Sequence, residues 1–154
     1  MSICPLVCLL VSASAWLAPA EASVPAPGDS KTYQRDAIDA TNLERRLHDR
    51  VRLRQADCVQ RFAVKQAGRM AAREVMFHQE LGPILRQCGL QEVGENVAYG
   101  YPTGTSVVVV GWMNSPPHRK NIMRPGYRLI GLGARQGQDG SWYVSQVFGR
   151  KMSR

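Results

Sequence analysis

The chain of 154 residues contains three histidines. Imidazole is the side chain that most readily gains, loses or shares a proton near neutral pH. His118 stands in the segment GWMNSPPHRKNIM, directly after Pro116 and Pro117. Two pyrrolidine rings, each fixing φ at about −65°, set the backbone path there. They aim the imidazole in one direction at low entropy cost. Ser115, three residues earlier, sits in no recognised nucleophile elbow, so it reads as a supporting polar group. His78, in MFHQELGP, falls at a helix exit, and His48 lies among arginines and reads as solvated. Imidazoles placed in this way serve as general acids and bases or as metal ligands.

These groups need a scaffold, and the composition supplies one. Hydrophobic residues make up 44% and charged residues 21% of the chain, which suits one globular domain with a real core. Ala37, Ala40, Leu43, Leu47 and Val51 recur at helical steps, predicting a helix from about Gln34 to Arg54. Arg46, Arg50 and Arg54 would form a basic ridge beside that stripe. A second helix is expected over residues 57–77, capped by Asp57, with Val59, Phe62, Ala63, Ala67, Met70 and Ala71 on its buried face. NVAYGY reads as a short strand. SVVVVGWMN is ambiguous, because four valines favour a strand by intrinsic preference. The sequence closes with a hairpin, YRLIGLGARQ and WYVSQVFG around an Asp-Gly turn. Helices flanking a small antiparallel sheet make an α+β domain.

Residues 3–20 carry no charge and precede the Pro-rich stretch EASVPAPG. This pattern predicts a secretory signal peptide over residues 1–22, although no Lys or Arg precedes the apolar run. The expected organisation is then a flexible lead-in (23–33), a folded domain (34–150) and a basic tail (151–154). No other stretch is long enough to span a membrane. Cys4 and Cys8 would leave with the signal. Cys58 and Cys88 of a secreted, extracellular protein most simply pair. The net charge of +8 points to a polyanionic neighbour such as an anionic cell-wall or surface polymer. Export and paired cysteines set nucleic acid aside as a partner.

FHQELG, a cysteine, GENVAYG, GWMNSPPHRKNIM, IGLGA and WYVSQVFG follow one another in this order. The set resembles the bacterial branch of the CAP superfamily, which comprises cysteine-rich secretory proteins, antigen 5 and pathogenesis-related proteins (the SCP-like extracellular domain). The likeness runs from about Ala37 to Gly149, and Asn42 and Arg45 match the family's opening helix. It implies an α-β-α sandwich with a small antiparallel sheet between helical layers. It also implies a helix at the valine run, and it supports a Cys58–Cys88 disulfide.

The resemblance further implies a cleft in which His78, Glu95 of the GEN motif and His118 face one another, with Asn96 and Ser115 as supporting groups. Ser115 stands where eukaryotic members carry a second acid, so the family's acidic pair is reduced to one. No cofactor is required. His78, His118 and Glu95 are the residues that would hold a divalent metal such as zinc. Alternatively, the Glu95 carboxylate simply accepts backbone N–H bonds that hold the cleft loop. Three functions are compatible with these residues. One is a non-catalytic module binding a lipid or other small ligand. Another is a metal-assisted hydrolase of peptidase type. The third is an electrostatic binder of anionic polymers, using Arg45, Arg46, Arg50, Arg52 and Arg54.

Overall fold

The computed structural model describes residues 29–152. The expected signal peptide (1–22), most of the expected lead-in and the last two residues of the expected tail lie outside the described residues. The chain forms α1 (Ser30–Leu47), β1 (Arg54–Gln55), α2 (Asp57–Arg73), α3 (Leu81–Gln87) and β2 (Leu90–Tyr99). It continues with α4 (Gly104–Ser106), a π-helical segment (Val107–Trp112), α5 (Pro116–Met123), β3 (Leu129–Gln136) and β4 (Trp142–Lys151).

The four strands lie in the order β1-β3-β4-β2. β4 pairs antiparallel with both β2 and β3, and the two-residue β1 adds a parallel edge on β3. The sheet is therefore mixed rather than purely antiparallel. Strand parity divides the core into two layers. Ala98, Ile130, Leu132, Val144 and Phe148 join α1, the π-helical segment and α5. Leu90, Leu129 and Val147 join α2 and α3 on the other face, with Val97 and Tyr143 packed alongside against Met70 and Ala71. With helices on both sides, β4 is buried from Trp142 to Gly149. The fold is an α-β-α sandwich of α+β class.

Close approach of α2 to the sheet depends on Gly131 and Gly133. A Cβ on either would collide with the backbone of Val59–Gln60 or of Ala63–Val64, so IGLGA is a packing surface. α2 begins after Ala56, and Asp57 lies inside its first turn without making a capping bond. There its carboxylate complements the positive end of the helix. Val59, Ala63, Ala67, Met70 and Ala71 are buried as expected, and Phe62 is half-buried. Cys58 and Cys88 are bonded, joining α2 to the end of α3. The valine run is helical, since Val107, Val108 and Trp112 face the core. Burial against α1 there overrides the strand preference of valine.

α1 differs from the expectation. It ends at Leu47, and Leu43, Leu47 and Val51 are exposed. The buried face turns instead through Ala37, Ala40, Thr41, Asn42 and Arg45. Three polar residues carry the inner face, a pattern that apolar periodicity does not register. Asn42 donates to Leu53 O at 3.1 Å and accepts from Leu53 N at 2.7 Å, tying the following loop back to the helix. The basic ridge consequently does not exist. Arg46 is in the last turn, Arg50 is in the loop and Arg54 is in β1.

Arg45 is fully buried, which removes it from any surface role. Its guanidinium donates to Val51 O (2.8 Å), Ile122 O (2.6 Å) and Arg124 O (3.1 Å), with Tyr127 O at 3.5 Å. Burial holds its pKa down to about 10, and the charges of Arg128 and Arg50 add to the effect. Removing the guanidinium would strand several buried carbonyls. Arg45→Met is therefore expected to lower the unfolding free energy in urea denaturation, by about 1–3 kcal/mol for each carbonyl left without a donor. Cys58→Ser/Cys88→Ser should cost roughly 3–4 kcal/mol, and adding reductant to the parent should reproduce that loss.

Candidate functional site

β2 is an edge strand, and its consecutive residues Glu95 and Asn96 point to opposite faces of the sheet. Glu95 lies on the α2/α3 face. Its side chain is 1% exposed and is surrounded by donors. His78 Nδ1 is 2.8 Å from Oε2, and Gln79 N donates to the same oxygen at 3.2 Å. Gln79 Nε2 (2.7 Å) and Ser145 Oγ (2.8 Å) donate to Oε1. A buried carboxylate needs such compensation. A carboxylate can only accept, so neutral His78 carries its proton on Nδ1 and leaves Nε2 bare. The His78 side chain is 59% exposed, so Nε2 is open to a ligand.

His118 belongs to the other layer. Ser115 is the N-cap residue of α5, and Pro116 and Pro117 fill its first two positions, where a missing N–H costs nothing. The Ser115 hydroxyl caps no backbone group and instead lies 2.8 Å from His118 Nδ1. Asn96 Nδ2 donates to His118 O (3.2 Å) and to Gln146 Oε1 (3.1 Å). Gln146 in turn donates to Thr41 of α1 at 2.8 Å. Asn121 completes the frame, donating to Glu95 O (3.1 Å) and to Asn96 Oδ1 (2.9 Å). A continuous polar chain thus runs from α1 through the sheet to both halves of the site.

The halves open into neighbouring recesses. His78 and Glu95 line one of about 560 Å³ with Asn121, Arg124 and Tyr127. His118 and Ser115 line one of about 300 Å³, whose walls include Met76, Val97, Tyr99, Tyr101 and Trp112. The two imidazoles line different recesses, yet the charge of His78 is felt at His118. Burial lowers the His118 pKa below its ordinary value of 6.5, and the charge of His78 lowers it further.

Each residue of the anticipated cleft is accounted for. His78 is paired with Glu95, His118 with Ser115, and Asn96 holds the His118 backbone. Backbone N–H bonding to Glu95 is part of the arrangement, through Gln79. The three-ligand metal set is not assembled. Among the described residues no three His, Cys, Asp or Glu side chains form a metal-holding group, and both Glu95 oxygens are occupied. Sequence reading missed Gln79, Ser145, Gln146 and Thr41. A Ser-Gln pair inside the apolar strand WYVSQVFG was the available signal, because such a strand buries polar groups only with partners.

Residues 38–148 match the family model described as the cysteine-rich secretory protein family, CAP. The chain belongs to that family. This CAP domain is 29% identical over 132 residues to the uncharacterized protein YkwD of Bacillus subtilis, a match covering 81% of this chain and 50% of YkwD. The chain spans half or less of the curated relatives it matches. Among solved structures it is similar to an extracellular protein containing an SCP domain from Bacillus anthracis. That match has a TM-score of 0.68 and 26% identity, covering 90% of this chain and 45% of the other. It also shares its fold with an outer surface protein of Borrelia burgdorferi (TM-score 0.72, 19% identity, covering 82% and 98%). No helix among the described residues is long and apolar enough to cross a membrane.

The depressed His118 pKa has a definite consequence. The unfolded chain takes up this proton before the native one does, so the His118 contribution to stability falls as pH drops from 6.5 through the native pKa. NMR titration should place the His118 midpoint below 6.5. His78→Gln should raise that midpoint only in part, because burial, the larger cause, remains.

Proposed function

We propose that this CAP domain is a secreted, non-catalytic binding module whose cleft holds a divalent cation such as zinc between His78 and His118. One observation carries the reading: the buried Glu95 carboxylate fixes the His78 tautomer that leaves Nε2 as a bare donor. A carboxylate behind a histidine is the usual outer support of a metal-bound imidazole. Burial favours the neutral form of His118, and Nδ1–H donation to the Ser115 hydroxyl would leave its Nε2 as a matching nitrogen. Two imidazoles are one protein ligand fewer than a catalytic zinc site usually has, so water or a bound ligand would complete the coordination. Glu95 acts as an orienting group and is not itself a ligand. A crystal structure of the same fold, NaASP2, was determined with Zn2+ (TM-score 0.61, 10% identity); that likeness is one of fold. Once bound, such a cation would supply a fixed positive charge at the cleft. The recess beside His118, walled by Met76, Tyr99 and Tyr101, would receive the apolar part of a small or lipid ligand.

The 2.8 Å contact between Ser115 and His118 favours a second reading, in which Ser115 is a hydrolytic nucleophile. It has no carboxylate behind the imidazole, since Glu95 is committed to His78. A serine–histidine pair without an orienting third group lacks a central part of the usual arrangement.

Calorimetry on the disulfide-intact protein separates these readings. Zinc should bind at one equivalent, and His78→Ala or His118→Ala should abolish binding. Glu95→Gln should weaken it by about tenfold, and binding should weaken in acid, because protons compete with the metal for its ligands. An absence of zinc binding by the parent would end the metal reading. Stoichiometric labelling of Ser115 by a fluorophosphonate would favour the hydrolase.

A further inference from the structure

The cleft does not use the groove on the opposite side of α5. This cavity, of about 680 Å³, lies between the end of α1 and α5. His48, Arg50, Arg119 and Lys120 line it, with Asp49 as the single acid. Met113, Pro116 and Met123 supply apolar walls.

Two of its cations are held in place. His48 Nδ1 lies 2.8 Å from Glu44 O, a group that can only accept, so Nδ1 carries the proton. The bare Nε2 then accepts from Arg119, whose guanidinium nitrogen is 3.1 Å away. Arg50 Nε donates to Met123 O at 3.1 Å, which fixes its guanidinium along the groove and leaves the other nitrogens unengaged. Among the described residues, no carboxylate comes within ion-pair distance of Arg50, Arg119 or Lys120. Asp49 is the C-terminal neighbour of His48 and has φ of 55°. Arg50, Arg119 and Lys120 outnumber the acids nearby, which are Asp49 in the lining and Glu44, whose carboxylate lies 4.0 Å from His48 Nδ1. Arg50 also adds to the field that disfavours the charged form of buried Arg45, so the cations are crowded.

We infer that this groove binds a phosphate monoester, with the phosphoryl oxygens on Arg50, Arg119 and Lys120 and the ester group on Met113, Pro116 and Met123. Guanidinium forks match phosphate oxygens in geometry as well as charge. A phosphate monoester carries about −1.5 to −2 at neutral pH and three acceptor oxygens, more than a single carboxylate brings to the three cations. The chemistry is shared by a soluble or polymer-borne sugar phosphate and by a phosphatidate headgroup. The site shares no ligating side chain with the His78/His118 cleft.

The test is a two-dimensional NMR titration of the disulfide-intact protein with glycerol 1-phosphate at constant ionic strength, with glycerol as control. Saturable shifts at residues 48–50 and 113–123 are expected, with none from glycerol. Arg119→Gln/Lys120→Gln should weaken binding at least about tenfold. Neither side chain holds a backbone carbonyl, so the melting temperature should be unchanged and zinc binding should persist. Inorganic phosphate should bind more weakly, and equal affinity would overturn the role given to the apolar walls. Sedimentation with phosphatidate vesicles, but not phosphatidylcholine vesicles, assigns the source to a lipid headgroup. Binding of glycerol 1-phosphate without vesicle binding assigns it to a soluble or polymer-borne ester. The proposal is overturned if neither glycerol 1-phosphate nor phosphatidate vesicles bind, or if the double variant binds as the parent does. Loss of zinc binding in His78→Ala bears only on the cleft, so the two readings fail separately.

Discussion

A single buried cation ties α1 to the chain around the end of α5. Arg45 reaches from the inner face of α1 to the chain after α5, and every partner it has is a backbone carbonyl. A buried charge without a counter-ion is costly. Here the compensation comes from Ile122 O in the last turn of α5, which lacks an intrahelical donor, and from the loop carbonyls of Val51, Arg124 and Tyr127. The interaction serves both sides, since the guanidinium is solvated by dipoles and the dipoles gain donors. Residues 122–127 are also held by burial of Ile122 and Tyr127 and by the Arg124–Glu92 pair, and Arg45 ties that segment to α1. Fixed to α1, they fix α5, and α5 carries Ser115 and His118 at its start. The imidazole at one end of an eight-residue helix is thus placed by a cation at the other end.

The second constraint is the edge position of β2. In an interior strand, groups on opposite faces are separated by the sheet and cannot share a ligand. At an edge they can meet around the rim. Glu95 organises His78 on one face, and Asn96 anchors the His118 backbone on the other. An open strand edge also invites unwanted pairing. Here Asn121 takes Glu95 O at 3.1 Å and Trp112 Nε1 takes Val97 O at 3.2 Å. Side chains from α5 and the π-helical segment therefore occupy the edge that a foreign strand would need.

Much of this was legible in the residues. Helix α2, the closing hairpin and the Cys58–Cys88 pair follow from periodicity, turn chemistry and cysteine count. His78, Glu95 and His118 were recognisable only through their motifs, since nothing local marks Glu95 as buried. What stayed hidden was polar. Thr41, Asn42 and Arg45 replace apolar residues on the inner face of α1, so a stripe drawn through Leu43 and Leu47 follows the wrong side. The arginines at 46, 50 and 54 have helical spacing, yet the helix stops before the second of them. Asn42 and Arg45 make their decisive bonds to residues six or more positions away, and spacing within one element cannot reveal that. The valine run is the converse case, in which a strong local preference yields to burial against α1.

α5 gives two regions of different electrical character a common mount. Residues 118 and 119 are adjacent, and on a helix with about 3.6 residues per turn adjacent side chains diverge by about 100°. His118 therefore turns towards the sheet edge while Arg119 turns towards the end of α1. On the first side, charge is compensated internally, with Glu95 against His78 and neutral polar groups around His118. On the second, cations stand together without acids at ion-pair distance. The excess of basic residues in this chain is thus not only a diffuse property of its surface. Part of it is gathered beside a rigid helix whose far end is clamped by Arg45, and rigid placement is what separates a binding groove from a charged surface.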